Sequence, residues 1–201
     1  MPDSHSPDKQ AFRIVLTGGP GGGKTTAADL FRREIGESVV IVPEAATMMF
    51  SGGFPRYTEP DAICSAQRAI FHVQQNLENI QAAKYPERIL LCDRGSIDGA
   101  AYWPTSEPSF FAAMDTTLER ELANYDGVIF FETAAAGGMG IEGGNPVRRE
   151  SLEEAVSLDK QLHSLWSQHS NFVEIHHNES FFKKISYGLA ILDEMVRKLK
   201  V

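Results

Sequence analysis

Cysteine is nearly absent from these 201 residues, with only Cys64 and Cys92. Neither stands in a metal-ligand spacing, and two thiols make no disulfide framework, so a reducing, cytoplasmic setting is expected. Cys92 lies in an apolar run and is expected in the core. No apolar run approaches the roughly 18 to 20 residues of a membrane helix, so no membrane partner is expected. No signal peptide is visible in the polar, proline-containing start. Residues 1–11 are expected to form a disordered tail. Basic residues are also short: 19 Lys and Arg face 27 Asp and Glu, a net charge of −8. Such a balance argues against a general nucleic-acid binder, yet leaves room for a local pocket that holds an anionic ligand.

What is present is a regular alternation of short apolar runs and longer helical patterns. Strands are expected at Phe12–Thr17, Ser38–Pro43, Arg88–Cys92, Val128–Phe131 and Phe172–Ile175. Helices are expected at Lys24–Ile35, Ala62–Tyr85, Ser109–Asn124, Leu152–His169 and Ser180–Lys200. In the second of these, Ile63, Ile70, Val73, Leu77 and Ile80 fall near one face. The alternation implies an α/β fold, a parallel sheet covered on both faces as a single domain over 12–201. Ligands of such sheets bind outside the carboxyl ends of the strands. The glycine-rich stretch from about 134 to 150 has almost no periodicity and is expected to form a lid.

Gly18-Gly19-Pro20-Gly21-Gly22-Gly23-Lys24-Thr25 fits the phosphate-loop pattern G-x-x-x-x-G-K-[ST]. Glycines let the backbone wrap with N–H groups inward, and the next helix N-terminus favours negative charge. The pattern follows an expected strand and opens an expected helix, the context its chemistry requires. Gly18 through Thr26 are therefore assigned to the nucleotide, with Lys24 on the β- and γ-phosphates and Thr25 on Mg²⁺. No N-K-x-D guanine signature appears, which favours ATP over GTP.

Several further residues stand just beyond strand ends. Asp93 is placed to hold Mg²⁺, directly or through water, or to take a proton from an acceptor; an acid there also caps a following helix. Arg94 is suited to clamp a phosphate, or to pair with an acid. Glu44 faces an acceptor site, or opens a helix. Glu132 reads equally as a cap or a functional group. Arg148 and Arg149, after the glycine-rich stretch, are candidates to neutralise a transferring phosphoryl group from a closing lid. Tyr102 and Trp103 read as core residues or as acceptor-pocket walls. His163, His169, His176 and His177 form no zinc spacing.

Taken in order, GGPGGGKTT, VPEAAT, LLCDRGSIDGAAYWP, NPVRRES and LDKQLHSLWSQHSNFVEI resemble the AAA-type ATPase and NadR-like P-loop family, which includes ribosylnicotinamide kinase domains. The resemblance runs from about Phe12 to the closing helix. It implies a nucleotide-kinase-like core with strand order 2-3-1-4-5. Asp93-Arg94 looks like the DR pair of thymidylate-kinase-like enzymes, Glu44 like the strand-end acid of nucleoside kinases, and Arg148 and Arg149 like lid arginines. The expected activity is transfer of the γ-phosphoryl of ATP to an unidentified small acceptor; the alternative is a nucleotide-dependent regulatory switch.

Overall fold

The computed structural model describes residues 11–137, 151–177 and 180–199. Five strands form one parallel sheet: β1 (Arg13–Thr17), β2 (Val39–Val42), β3 (Ile89–Asp93), β4 (Gly127–Phe131) and β5 (Phe172–Ile175), ordered β2-β3-β1-β4-β5. In the central strand Ile14 pairs with Leu91 on one side and Gly127 on the other. Every residue of β1, β3 and β4 is buried, which is why these strands read as unbroken apolar runs.

Alternation along each strand splits the core into two layers. Ile14, Leu16, Leu91, Ile129 and Phe131 face helices α1 (Lys24–Ile35) and α7 (Phe181–Leu199). Val15, Leu90, Cys92, Val128 and Phe130 face α3 (Pro60–Lys84), α4 (Glu107–Ala113) and α6 (Leu152–Trp166), where Trp166 is fully buried. Between these lie α2 (Ala45–Ser51) and α5 (Leu118–Leu122), and a 3-10 helix spans Ser96–Tyr102.

Three local readings change. The stretch expected as one helix over Ser109–Asn124 is two, α4 and α5. Asp115 takes a left-handed φ of 53°, and Thr117 starts the second helix by accepting the Arg120 N–H. Ala45–Ser51 is helical, although its seven residues are too few for a clear period. The third concerns α3, whose buried residues are Ala66, Gln67, Phe71, Gln74 and Glu78, while Ile80 is 61% exposed. The helix turns a partly polar stripe inward because that stripe looks onto the strand ends, where polar groups are needed. Arg148 and Arg149 lie outside the described residues, as does the expected lid beyond Gly137; so do residues 1–10 of the expected tail.

Candidate functional site

The turn from β1 into α1 carries the phosphate-loop motif. Gly18 has a φ of 127°, and a Cβ there would stand 2.1 Å from the Phe131 carbonyl oxygen, so only glycine lets the loop lie against the end of β4. Gly23, at φ 87°, precedes α1 and supplies no side-chain cap; the first turn of α1 contains no acid. The helix N-terminus thus keeps its N–H groups and its partial positive charge for an incoming anion. Lys24 is buried and curls back over the loop, donating to the carbonyl oxygens of Gly18 and Gly19 at 2.7 Å each.

At the end of β3, Asp93 sits directly across from the loop. The Thr25 hydroxyl donates to its Oδ2 at 2.8 Å. The other oxygen, Oδ1, is buried with no hydrogen-bond partner among the described residues. Burial pushes the Asp93 carboxyl up from its ordinary range, and Glu44 adds to the rise; the Thr25 bond, Lys24 and Arg94 work against it. A free carboxylate oxygen beside a threonine hydroxyl is a donor set that suits a hard divalent cation. Asp93 does not cap the following turn, whose N-cap is Gly95.

Arg94 is held in the left-handed region at φ 68°. Its N–H donates to the Leu16 carbonyl at 3.0 Å, and its own carbonyl accepts from the Gln74 amide at 3.2 Å. The guanidinium is buried between two acids, 2.8 Å from Glu44 Oε1 and 2.6 Å from Asp98 Oδ2. Glu44 stands at the N-cap position of α2 but makes no capping bond there. Its oxygens go to Arg94 and to the Thr47 hydroxyl at 2.7 Å. Asp93, Arg94 and Glu44 are therefore brought together as their strand-end positions imply.

Two residues that matter here escape a sequence reading. Asp98 accepts from the Thr17 hydroxyl at 2.9 Å, the Trp166 indole at 2.7 Å and Arg94. It joins β1, α6 and the Arg94 turn at one buried carboxylate. Asp159, on the inner face of α6, accepts the Gly19 N–H at 2.7 Å and the Thr133 N–H at 3.0 Å. The only sequence signal for Asp159 is an acid in register with Leu162 and Trp166 on a helix that is otherwise apolar on that side.

Beside the loop opens a cavity of about 300 Å³. Pro20, Glu44, Arg94, Asp98 and Tyr102 stand at its polar edge, and Phe50, Ile63, Ile70 and Phe71 form apolar walls. Tyr102 is thus a cavity wall, whereas Trp103 packs against Phe110 with ring centroids 5.4 Å apart. Glu132 follows β4, with its carboxylate accepting the His177 N–H at 2.6 Å. It gathers with Glu174 and His176 near the surface, and Lys184 donates to its carbonyl at 2.6 Å.

A family model for an AAA domain matches residues 13–182, from the first residue of β1 to the start of α7. The chain belongs to this AAA-domain family. No curated protein is similar enough to match it. The AAA domain is a nucleotide-binding P-loop domain, whose chemistry is nucleotide hydrolysis or phosphoryl transfer. Among the described residues, no helix is long and apolar enough to cross a membrane.

Proposed function

We propose that this AAA domain is a small-molecule kinase that transfers the γ-phosphoryl of ATP to a hydroxyl or phosphate acceptor. The observation that carries the reading is the cavity beside Pro20. It holds about 300 Å³, has apolar walls, and presents Glu44 and Arg94 next to the phosphate loop. A nucleotide switch that hydrolyses slowly needs no such chamber.

For a hydroxyl acceptor the step is an in-line displacement. The acceptor oxygen attacks the γ-phosphorus, the bond from that phosphorus to the β–γ bridging oxygen breaks, and ADP leaves with the electron pair. The acceptor proton passes to Glu44, which lines the cavity, as Asp93 does not. Lys24 leaves the carbonyls of Gly18 and Gly19 to meet the β- and γ-phosphates. Arg94 fixes Glu44 at 2.8 Å and adds positive charge near the transferring group. Mg²⁺, held by Thr25 and Asp93, would neutralise charge on the phosphate oxygens. Arg148 and Arg149 are proposed to close over the phosphates. The resemblance to ribosylnicotinamide kinase domains puts nicotinamide riboside on the list of acceptors to test.

The exposed aromatics Phe181, Phe182 and Tyr187 on α7 favour the second reading, a regulatory switch that offers a partner surface. Labelled ATP with Mg²⁺, offered with a panel of nucleosides, nucleotides and nicotinamide riboside, separates the two. A phosphorylated product that falls by about 100-fold or more in Lys24→Ala supports the kinase. Slow hydrolysis indifferent to every acceptor, or full transfer by Lys24→Ala, removes it.

A further inference from the structure

Just past the paired ends of β4 and β5, two acids and an imidazole meet. Phe130 pairs with Glu174 and Phe131 with Ile175, and the Glu132 N–H donates to the Ile175 carbonyl at 3.1 Å. Side chains two apart along a strand share a face. Phe172, Glu174 and His176 therefore follow one another beside Phe130 and Glu132. The lower part of this face is an aromatic floor. The Phe130 and Phe172 rings lie 5.8 Å apart, and the His163 ring of α6 stands edge-on to them at 5.2 and 5.4 Å. Next to it Glu132, Glu174 and His176 bring one ligand atom each within 4.8 Å of the others.

The spacing in this cluster is that of groups sharing an ion. His176 Nδ1 lies 3.5 Å from Glu174 Oε1 and 3.7 Å from Glu132 Oε2. Both distances exceed the roughly 2.7–3.2 Å of an N–H···O hydrogen bond. Donor atoms about 2.0–2.2 Å from a tetrahedral zinc ion stand about 3.3–3.6 Å from one another, close to what is seen. Each carboxylate is also aimed from outside the cluster. His163 Nε2 bonds Glu174 Oε2 at 3.2 Å, which leaves Oε1 turned to His176, and the His177 N–H holds Glu132 Oε2 at 2.6 Å. Metal-ligating carboxylates are oriented by such outer hydrogen bonds. Among the described residues no lysine or arginine forms an ion pair with either acid; Lys184 donates instead to the Glu132 backbone carbonyl at 2.6 Å. The mutual repulsion of the two carboxylates is then relieved by a cation from solution. A mixed nitrogen and oxygen donor set suits zinc, whereas Mg²⁺ and Ca²⁺ take oxygen alone.

We propose that Glu132, Glu174 and His176 hold a divalent transition-metal ion of the zinc class, separate from the Mg²⁺ assigned to Thr25 and Asp93. The His176 side chain is 75% exposed, so the ion enters from solvent and keeps water in its remaining position. Three ligands from two strand ends escape a sequence reading, because no short motif joins them. The ion ties the end of β4 to the end of β5, and β5 leads on to α7. There the Phe181 ring lies so near the phosphate loop that a Cβ on Gly23 would come within 2.6 Å of it. The site stands whether or not the domain is a kinase.

The test uses the metal alone and reads binding, not turnover. The full chain, in excess Mg²⁺ to fill the set at Thr25 and Asp93, is titrated with Zn²⁺ by calorimetry. One Zn²⁺ is expected to bind per chain at micromolar concentration or below, and to raise the melting temperature. His176→Ala should weaken that binding by about 100-fold or more, since even the loss of an outer partner costs about 10–100-fold. Glu174→Gln should weaken it as well; the glutamine keeps an oxygen for His163, so it serves if the alanine variant does not fold. Co²⁺ is the second probe, and its visible absorption should strengthen in the unaltered chain and not in His176→Ala. Equal Zn²⁺ affinity in the unaltered chain and both variants puts the ion elsewhere and overturns the proposal. So does the absence of Zn²⁺ binding at micromolar concentration, or its complete displacement by Mg²⁺.

Discussion

The Gly19 N–H donates to Asp159 Oδ1 at 2.7 Å across 140 residues of sequence. The same oxygen accepts the Thr133 N–H at 3.0 Å, so one carboxylate ties the phosphate loop to the exit of β4. Asp159→Ala leaves both N–H groups without a partner in a buried place, at about 1–3 kcal/mol for a group so orphaned. Urea unfolding should show a loss of about 2 kcal/mol or more, and nucleotide affinity should fall as the loop loosens. Asp159→Asn keeps an accepting oxygen and should lose less than half as much of each.

Asp93 is held against two opposing demands. Burial and the nearby Glu44 both disfavour its charge. The Asp93→Asn protein is therefore expected to melt at a higher temperature than the unaltered chain at pH 8, by an amount on the order of 1 kcal/mol of stability. It should also lose phosphoryl transfer and the dependence of nucleotide binding on Mg²⁺. A thermal melt and a nucleotide titration with and without Mg²⁺ check both halves.

Glu78 gives the fold a pH dependence with a definite sign. Burial raises its carboxyl from 4.5 to about 7, against the pull of Gln74, Tyr125 and Arg13. The folded state thus binds the proton more tightly than the unfolded state does. Below pH 4.5 this favours neither state; stability is then lost as pH rises toward 7, by about 3 kcal/mol in all. Asp93 and Asp159, also raised, act in the same direction. Denaturant unfolding at steps from pH 5 to pH 8 should show the decline. In Glu78→Gln the slope should be clearly shallower, whatever that variant's absolute stability.

Gly18→Ala meets both a left-handed φ and a carbonyl oxygen 2.1 Å from the new Cβ. The loop or β4 must move, and the expected loss is about 3 kcal/mol or more. Gly36 also has a positive φ, 70°, but open space around it. An alanine there meets backbone strain alone, at about 1–3 kcal/mol. Parallel chemical unfolding of the two variants separates backbone strain from collision.

The sheet and the phosphate loop were legible because their signals are local. A strand buried on both faces shows as a continuous apolar run, and a phosphate loop needs its glycines and lysine in fixed order. Asp93, Arg94 and Glu44 could be named from one rule, that chemistry gathers at the carboxyl ends of strands. The inner face of α3 was not legible, because Gln67, Gln74 and Glu78 occupy positions that usually go to apolar residues, while Ile80 faces water. Asp159 looked like any helix acid, since its partners are backbone N–H groups 140 and 26 residues away. Asp98 was hidden for a similar reason: its meaning lies in Thr17 and Trp166, which the chain brings to it only when folded.

The strand order has a consequence in time. The strand that feeds the phosphate loop, β1, has no neighbour close in sequence; its partners are β3, beginning at Ile89, and β4, beginning at Gly127. A ribosome adds about 5–20 residues each second. The strand made first therefore waits roughly 5 to 20 seconds before its second partner has even been synthesised. Until β3 has emerged, Ile14, Val15 and Leu16, which are fully buried in the finished protein, have no strand to pair with, and until β4 has emerged they stay open along one edge. Nascent chains stalled before and after Gly127 should differ sharply in their need for a chaperone that holds apolar segments.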